Sequence, residues 1–354
     1  MREDRLAVKI AIAAVAALLC ISRSSAAEPF YRLESALTIK STHAPAWDYL
    51  TYDPSRDCLY IARRDDGILI YDTKVQQVTG VIENSLGGNS TILVPEFDRG
   101  YVINLDGSTT VFQLSTLKAL GRNKFGDDAD NGFYDPVTEQ ILVTQGDSGQ
   151  ATFLDAKTGA VNGVLKVDSN SLEGCAPDGK GNYFMALRDR DKVIKIDAST
   201  RTLVGEWTIG AHTKPNSVTF DAANQRLFIT TRGDNPALLV FDLTGKIVAE
   251  APIGRGNDQI VFDPETKLIY TSNGFDGTLV IIKQVDADTY RLEEAATTRP
   301  YARTMAVDFK SKKVYLTTAE GTVDPGKKQR SDVAPFYPNK YFKDTFTLLT
   351  YSRR

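Results

Sequence analysis

Seven positions, separated by 41, 41, 41, 45, 42 and 45 residues, carry Asp48, Asn89, Asp130, Ser171, Asn216, Asp258 and Arg303. Five of the seven are Asp or Asn, so a fold that brought them to one axis would present a ring of oxygen donors. Converging carboxylates repel unless a cation or a cationic side chain stands among them. Glu173, beside Ser171, adds a fourth carboxylate. Hard oxygen donors suit Ca²⁺ or Mg²⁺. Asp48, Asp130, Glu173 and Asp258 are therefore candidate metal ligands, with Asn89, Asn216 and Arg303 as candidate binding residues. A structural reading stands beside this one. Asp and Asn favour strand-entry turns because their side chains bond nearby backbone, and a repeat protein copies its turn residues; Arg303 and ordered water would then neutralise the ring.

The chain has two histidines, His43 in Thr42-His43-Ala44-Pro45 and His212 in Ala211-His212-Thr213-Lys214-Pro215. Both fall in loops that lead into the same strand position, in units one and five, so they share a face without being neighbours. Each is a candidate binding residue or single general base. A shared two-histidine metal site is not expected, and exposed loop histidines are the bland alternative. No nucleophile elbow, H-E-x-x-H, P-loop or dinucleotide-binding glycine motif is present.

These residues are positioned by a repeat. An aromatic or aliphatic anchor followed by a short apolar strand end recurs as LYIAR, GYVIN, ILVTQ, NYFMA, LFITT, IYTSN and VYLTT, at Tyr60, Tyr101, Leu142, Tyr183, Phe228, Tyr270 and Tyr315. Periods of this length signal propellers or solenoids. Upstream of each anchor lies a short strand ending in a turn such as Asp53-Pro54, Asp135-Pro136 or Asp263-Pro264, where Pro presets φ. Downstream come Asp66-Gly67, Asp106-Gly107, Asp147-Ser148-Gly149 or Asp276-Gly277, hairpin turns in which Gly supplies positive φ. Four strands per unit and seven units predict an all-β fold, a seven-bladed β-propeller with four antiparallel strands per blade. No blade buries both faces alone, so 28–354 is read as one domain and an open solenoid is the alternative. The segment Tyr31 to Lys40 has the character of an outer strand, and the last unit lacks one. The N-terminal strand is therefore expected to close the ring in blade seven, which protects the edges.

The anchors resemble the YVTN family of β-propeller repeat proteins, most closely at Tyr101-Val102-Ile103-Asn104 and Tyr270-Thr271-Ser272-Asn273-Gly274. The other units depart from the pattern, with Arg63, Gln145, Ala186, Thr231 and Thr318 in the asparagine place. The resemblance covers nearly all of the chain after its leader. It implies the propeller fold and an extracytoplasmic setting, and it leaves function open, since such relatives include binding proteins and enzymes.

Residues 1–27 read as a signal peptide. Arg2, Arg5 and Lys9 precede an apolar run from Ile10 to Ile21, and Ser25-Ala26-Ala27 has the small-x-small form of a cleavage site. Cleavage is expected after Ala27, with a periplasmic or secreted product that has no membrane span. Losing Arg2, Arg5, Lys9 and Arg23 with Glu3 and Asp4 moves the net charge from −3 to −5, which argues against a nucleic-acid partner. Cys58 and Cys175 remain, in distant blades, and are expected to stay unpaired.

Residues 322–342 form a long insertion in blade seven, rich in Lys, Pro and aromatic residues. Such loops are functional or floppy. This one is expected on the same face as the Asx ring, as a lid or a surface insertion, with Arg299, Tyr301 and Arg303 extending a basic, aromatic patch. The function read from these features is an exported propeller that holds a small ligand, cation or protein partner at the channel mouth. The alternative is a metal-dependent hydrolase, lactonase or lyase with its cation on the acidic ring.

Overall fold

The structure, a computed structural model, describes residues 30–329 and 334–354. The expected signal peptide, residues 1–27, lies outside the described residues. Seven four-stranded antiparallel sheets form the ring. Blade one runs from Leu50 to Val81, blade two from Gly88 to Lys124, blade three from Ala129 to Lys166 and blade four from Leu172 to Thr208. Blade five runs from Pro215 to Pro252 and blade six from Asn257 to Thr297. Blade seven takes three strands from the C-terminal end, Met305–Asp308, Lys313–Thr318 and Thr347–Arg353, and its outer strand, Tyr31–Thr38, from the N-terminal end. The closure expected from sequence is the one observed.

The cause of the ring is visible in its core. Apolar side chains gather in seven clusters, each between two adjacent blades. Six of the seven anchors are fully buried, and Tyr315 is nearly so. Burial of a side chain such as Phe228 contributes about 1.5–3 kcal/mol. The anchor hydroxyls sew blades together: Tyr101 donates to the Ala156 carbonyl at 2.8 Å, and Tyr270 meets Tyr31 at 3.0 Å, locking the closing strand. Glu294 of blade six accepts from the amides of Phe30 and Tyr31 at 3.1 and 2.7 Å, which fixes the start of that strand.

The turns follow the residues that predicted them. Gly67, Gly107, Gly149 and Gly277 all have positive φ. On the opposite face, Asp53, Asp135 and Asp263 are buried because each accepts a hydrogen bond from an amide two residues on. Cys58 and Cys175 are both free thiols; Cys58 is buried and Cys175 only half-buried. Among the described residues no helix is long and apolar enough to cross a membrane.

Candidate functional site

The seven repeated positions do converge, and a device in the sheet aims them. Each stands at the start of an innermost strand. In blades two, three and six the ladder skips one residue, and those residues are Asn89, Asp130 and Asp258. In blade five it skips Asn216 and Ser217, and in blade four Glu173 and Gly174. A bulge releases a residue from the pleat and re-aims its side chain. Here the released side chains turn toward their counterparts on neighbouring blades.

They meet four arginines rather than one. Asp48 accepts from Arg64 at 2.5 Å and from Arg303 at 3.3 Å. Asp258 accepts from Arg303 at 2.7 Å and from Arg232 at 3.1 Å. Glu173 accepts from Arg188 at 2.7 Å and from the Ser171 hydroxyl at 2.8 Å. The asparagines join these pairs. Asn89 accepts from Arg64 at 3.0 Å and donates to Asp130 Oδ1 at 2.7 Å. Asn216 accepts from Arg188 and Arg232 and donates to Asp258 at 3.4 Å. A hydrogen-bonded circuit thus runs from Asp130 in blade three through blades two, one, seven, six and five to Glu173 and Ser171 in blade four. Among the described residues it has one opening, between blades three and four.

The carboxylates differ in character because their partners do. Burial pushes the Asp258 carboxyl up, but Arg232, Arg303 and Arg188 outweigh it and hold the group below the usual aspartate range. Burial also raises Glu173, against the pull of Arg188 and Ser171. Asp130 is raised furthest, first by burial and then by Asp48, Glu173 and Asp258. Among the described residues no arginine, lysine or histidine forms an ion pair with it. The Tyr49 phenol stands among the same four carboxylates; burial first, then their charge, pushes its ionisation far up, so it remains a neutral hydroxyl.

A cavity of about 360 Å³ opens into this ring. Tyr49, Asp130, Asp147, Glu173, Arg188 and Arg232 are among its lining residues, as are Asp48 and Asp258. Asn89, Asn216 and Arg303 serve the ring as links behind the cavity wall. His43 and His212 lie on the same face but off the cavity. His43 pairs through Nδ1 with Asp66 at 2.7 Å and its side chain is 53% exposed. His212 pairs through Nε2 with Glu250 at 3.0 Å. Of the four candidate metal ligands, all line the cavity, yet among the described residues no three His, Cys, Asp or Glu side chains are grouped closely enough to hold a metal ion.

Arg64, Arg188, Arg232 and Tyr49 were not singled out from the sequence. The arginines sit within two residues of the end of the anchor strand, in Ala62-Arg63-Arg64, Leu187-Arg188 and Thr231-Arg232. That recurrence was the available signal.

Residues 330–333 of the blade-seven insertion lie outside the described residues; the rest of it is tied to the ring. Gly321–Thr322 pairs with Lys340–Tyr341 as a two-residue ribbon. Tyr337 is buried, with its ring 4.0 Å from Tyr301 and 4.3 Å from Phe275. Trp47, beneath Tyr341 at 4.9 Å, stacks on the Arg303 guanidinium at 5.4 Å. The loop therefore buttresses the blade-seven side of the ring.

Fold and site together define a seven-bladed propeller with a charged cavity at its channel mouth. No family model matches the chain. It is 23% identical over 192 residues to the uncharacterized protein YncE of Salmonella typhi, a match that spans 52% of this chain and 53% of that one. The chain thus spans about half the length of the curated relative it matches. Among solved structures it is similar to Kuenenia stuttgartiensis hydrazine synthase, with a TM-score of 0.67 and 15% identity over 78% of this chain and 94% of that one. It is also similar to the RRP9 WD40 repeats, with a TM-score of 0.71 and 8% identity over 92% of this chain and 100% of that one. At these identities the likeness shows the propeller fold.

Proposed function

We propose that this is an exported binding protein of the YVTN propeller type, which holds a small polar ligand in the channel-mouth cavity. The observation that supports the reading most is the construction of the cavity wall. Buried carboxylates and arginines are costly to bring together unless each finds its partner; bulged strand entries on five of the seven blades aim the side chains that make these contacts, and one side of the ring is left open to the cavity. Ligand sites combine a mostly preformed concavity with a few convergent polar groups, and the volume falls within the range of such sites. The YVTN-like anchors and the leader with Ser25-Ala26-Ala27 support export.

The test is a library of small metabolites screened by thermal shift against the wild type and Leu105→Trp. Leu105 lines the cavity and is 38% exposed, so an indole there fills the mouth without disturbing the core. Stabilisers of the wild type should leave the variant unmoved. Equal shifts in both proteins would remove the cavity from the account. For export, amino-terminal sequencing of the secreted or periplasmic protein should begin at Glu28.

A further inference from the structure

We propose that the ligand carries a small organic cation, a primary or secondary ammonium, and that its head lies between Asp130 and Glu173. This rests on the channel-mouth binding reading and adds the chemistry of the ligand. Around the ring, acids and arginines alternate: Asp48 lies between Arg64 and Arg303, and Asp258 between Arg303 and Arg232. From blade three to blade four the alternation fails: Asp130 and Glu173 both line the cavity, and the arginine paired with Glu173, Arg188, lies toward Asn216 on the other side. Two neighbouring carboxylates without a shared cation are unfavourable. A cationic group is what completes the pattern, and the cavity is where it would sit.

Three further observations bear on the same space. Asn89 donates to Asp130 Oδ1, and among the described residues no hydrogen bond reaches Oδ2. Asp128 Oδ1, at the cavity wall, is buried without a hydrogen-bond partner, while Oδ2 accepts from the Ser148 amide at 2.8 Å. Tyr49 lines the same cavity, and its hydroxyl makes no hydrogen bond among the described residues. These are spare acceptors, and an ammonium offers two or three N–H donors to them. A bare metal ion fits less well, because it demands several oxygens at one short distance and the described carboxylates are not so grouped. An anionic head would find Arg188 Nε, which is buried without a partner, but Arg188 Nη2 and Arg232 Nη1 are already engaged with Glu173, Asp258 and Asn216. Leu105 and Leu172 in the lining suit an alkyl body.

Isothermal titration of the full chain with n-butylammonium, with neutral n-butanol as the matched control and Ca²⁺ as a competitor, tests the proposal. Butylammonium should bind while butanol does not, and excess Ca²⁺ should leave that binding unchanged. Asp130→Asn should weaken binding by about tenfold or more, the loss expected when a charge-assisted contact goes. Tyr49→Phe should weaken it by a smaller factor and guards against an Asp130 variant that misfolds. Asp168→Asn, at an exposed acid paired with Arg190 away from the cavity, should change nothing. Butanol binding as tightly as butylammonium, Ca²⁺ displacing it, or Asp130→Asn and Tyr49→Phe binding as the wild type does would each overturn the proposal. If neutral or anionic metabolites instead bind in a manner abolished by Leu105→Trp, the ammonium assignment falls while the binding function stands.

Discussion

The Arg303 guanidinium donates from Nε to Asp258 Oδ2 at 2.7 Å, and this pair ties blade seven to blade six at the channel mouth. The same guanidinium reaches Asp48 of blade one at 3.3 Å and the Trp47 carbonyl at 3.0 Å. One side chain thus spans three blades beside the ring closure. The arginine in the seventh repeated position is what neutralises two aspartates of the other six.

Arg303→Ala leaves Asp48 and Asp258 facing each other with fewer partners. Breaking a buried pair by removing one member costs about 3–5 kcal/mol, and Arg64 and Arg232 remain to soften the loss. The expected result is a drop of about 2–4 kcal/mol in urea denaturation, partly recovered in the Arg303→Ala, Asp258→Asn double variant. Unchanged stability would mean that the pair is a surface ornament.

Asp130 gives a pH signature of definite sign. Its carboxyl is raised well above the ordinary value of about 3.9 by burial and by the facing charges of Asp48, Glu173 and Asp258, with Arg64 opposing. Above the ordinary aspartate range the ligand-free folded protein therefore holds a proton that the unfolded chain has released, and an ammonium head binding there would displace it. The stability this contributes is full below about pH 3.9 and is lost as pH rises through the folded value. The stability of the wild type minus that of Asp130→Asn should fall as pH rises above about 4. A difference that grows with pH would show an Asp130 held ionised.

How far these relationships were legible in the sequence depends on whether the repeat copied them. Blade number, the closing strand from Tyr31 and the common offset of Asp48, Asn89, Asp130, Asn216 and Asp258 recur with the period, so spacing alone exposes them. Arg64, Arg188 and Arg232 occur in three blades at offsets that differ by a residue, which hides them from a strict comparison. The bulges that aim the ring are backbone events, and their residues are as varied as Asn89 and Glu173. His43 and His212 pair with Asp66 and Glu250 and do not line the cavity, which depends on loop paths that spacing does not carry. The docking of Tyr337 is a tertiary contact between an aperiodic loop and Tyr301, which no local pattern carries.

The blade-seven loop is accordingly expected to matter for stability. Tyr337→Ala removes a buried ring packed between Tyr301 and Phe275 and should cost about 3 kcal/mol. Chemical denaturation measures this. A neutral result would return the loop to the status of a surface insertion.

Ring closure by the N-terminal strand predicts that a chain beginning after Thr38 exposes the edge of Thr347–Arg353. Unpaired edges recruit other strands, so this truncation should run as oligomers or aggregate on size-exclusion chromatography. Glu294→Ala, which loses two amide partners at the start of the same strand, should elute as the unaltered protein does and lose about 1–3 kcal/mol.

The claim on which the account turns is that the channel-mouth cavity is a binding site. A crystal structure of the protein soaked with the strongest stabiliser from the metabolite screen tests it most directly. Ligand density is expected inside the ring, in contact with Asp130 and Glu173 on the side where the arginine circuit is open. Density for that ligand elsewhere on the propeller, with the cavity holding only water, would contradict it.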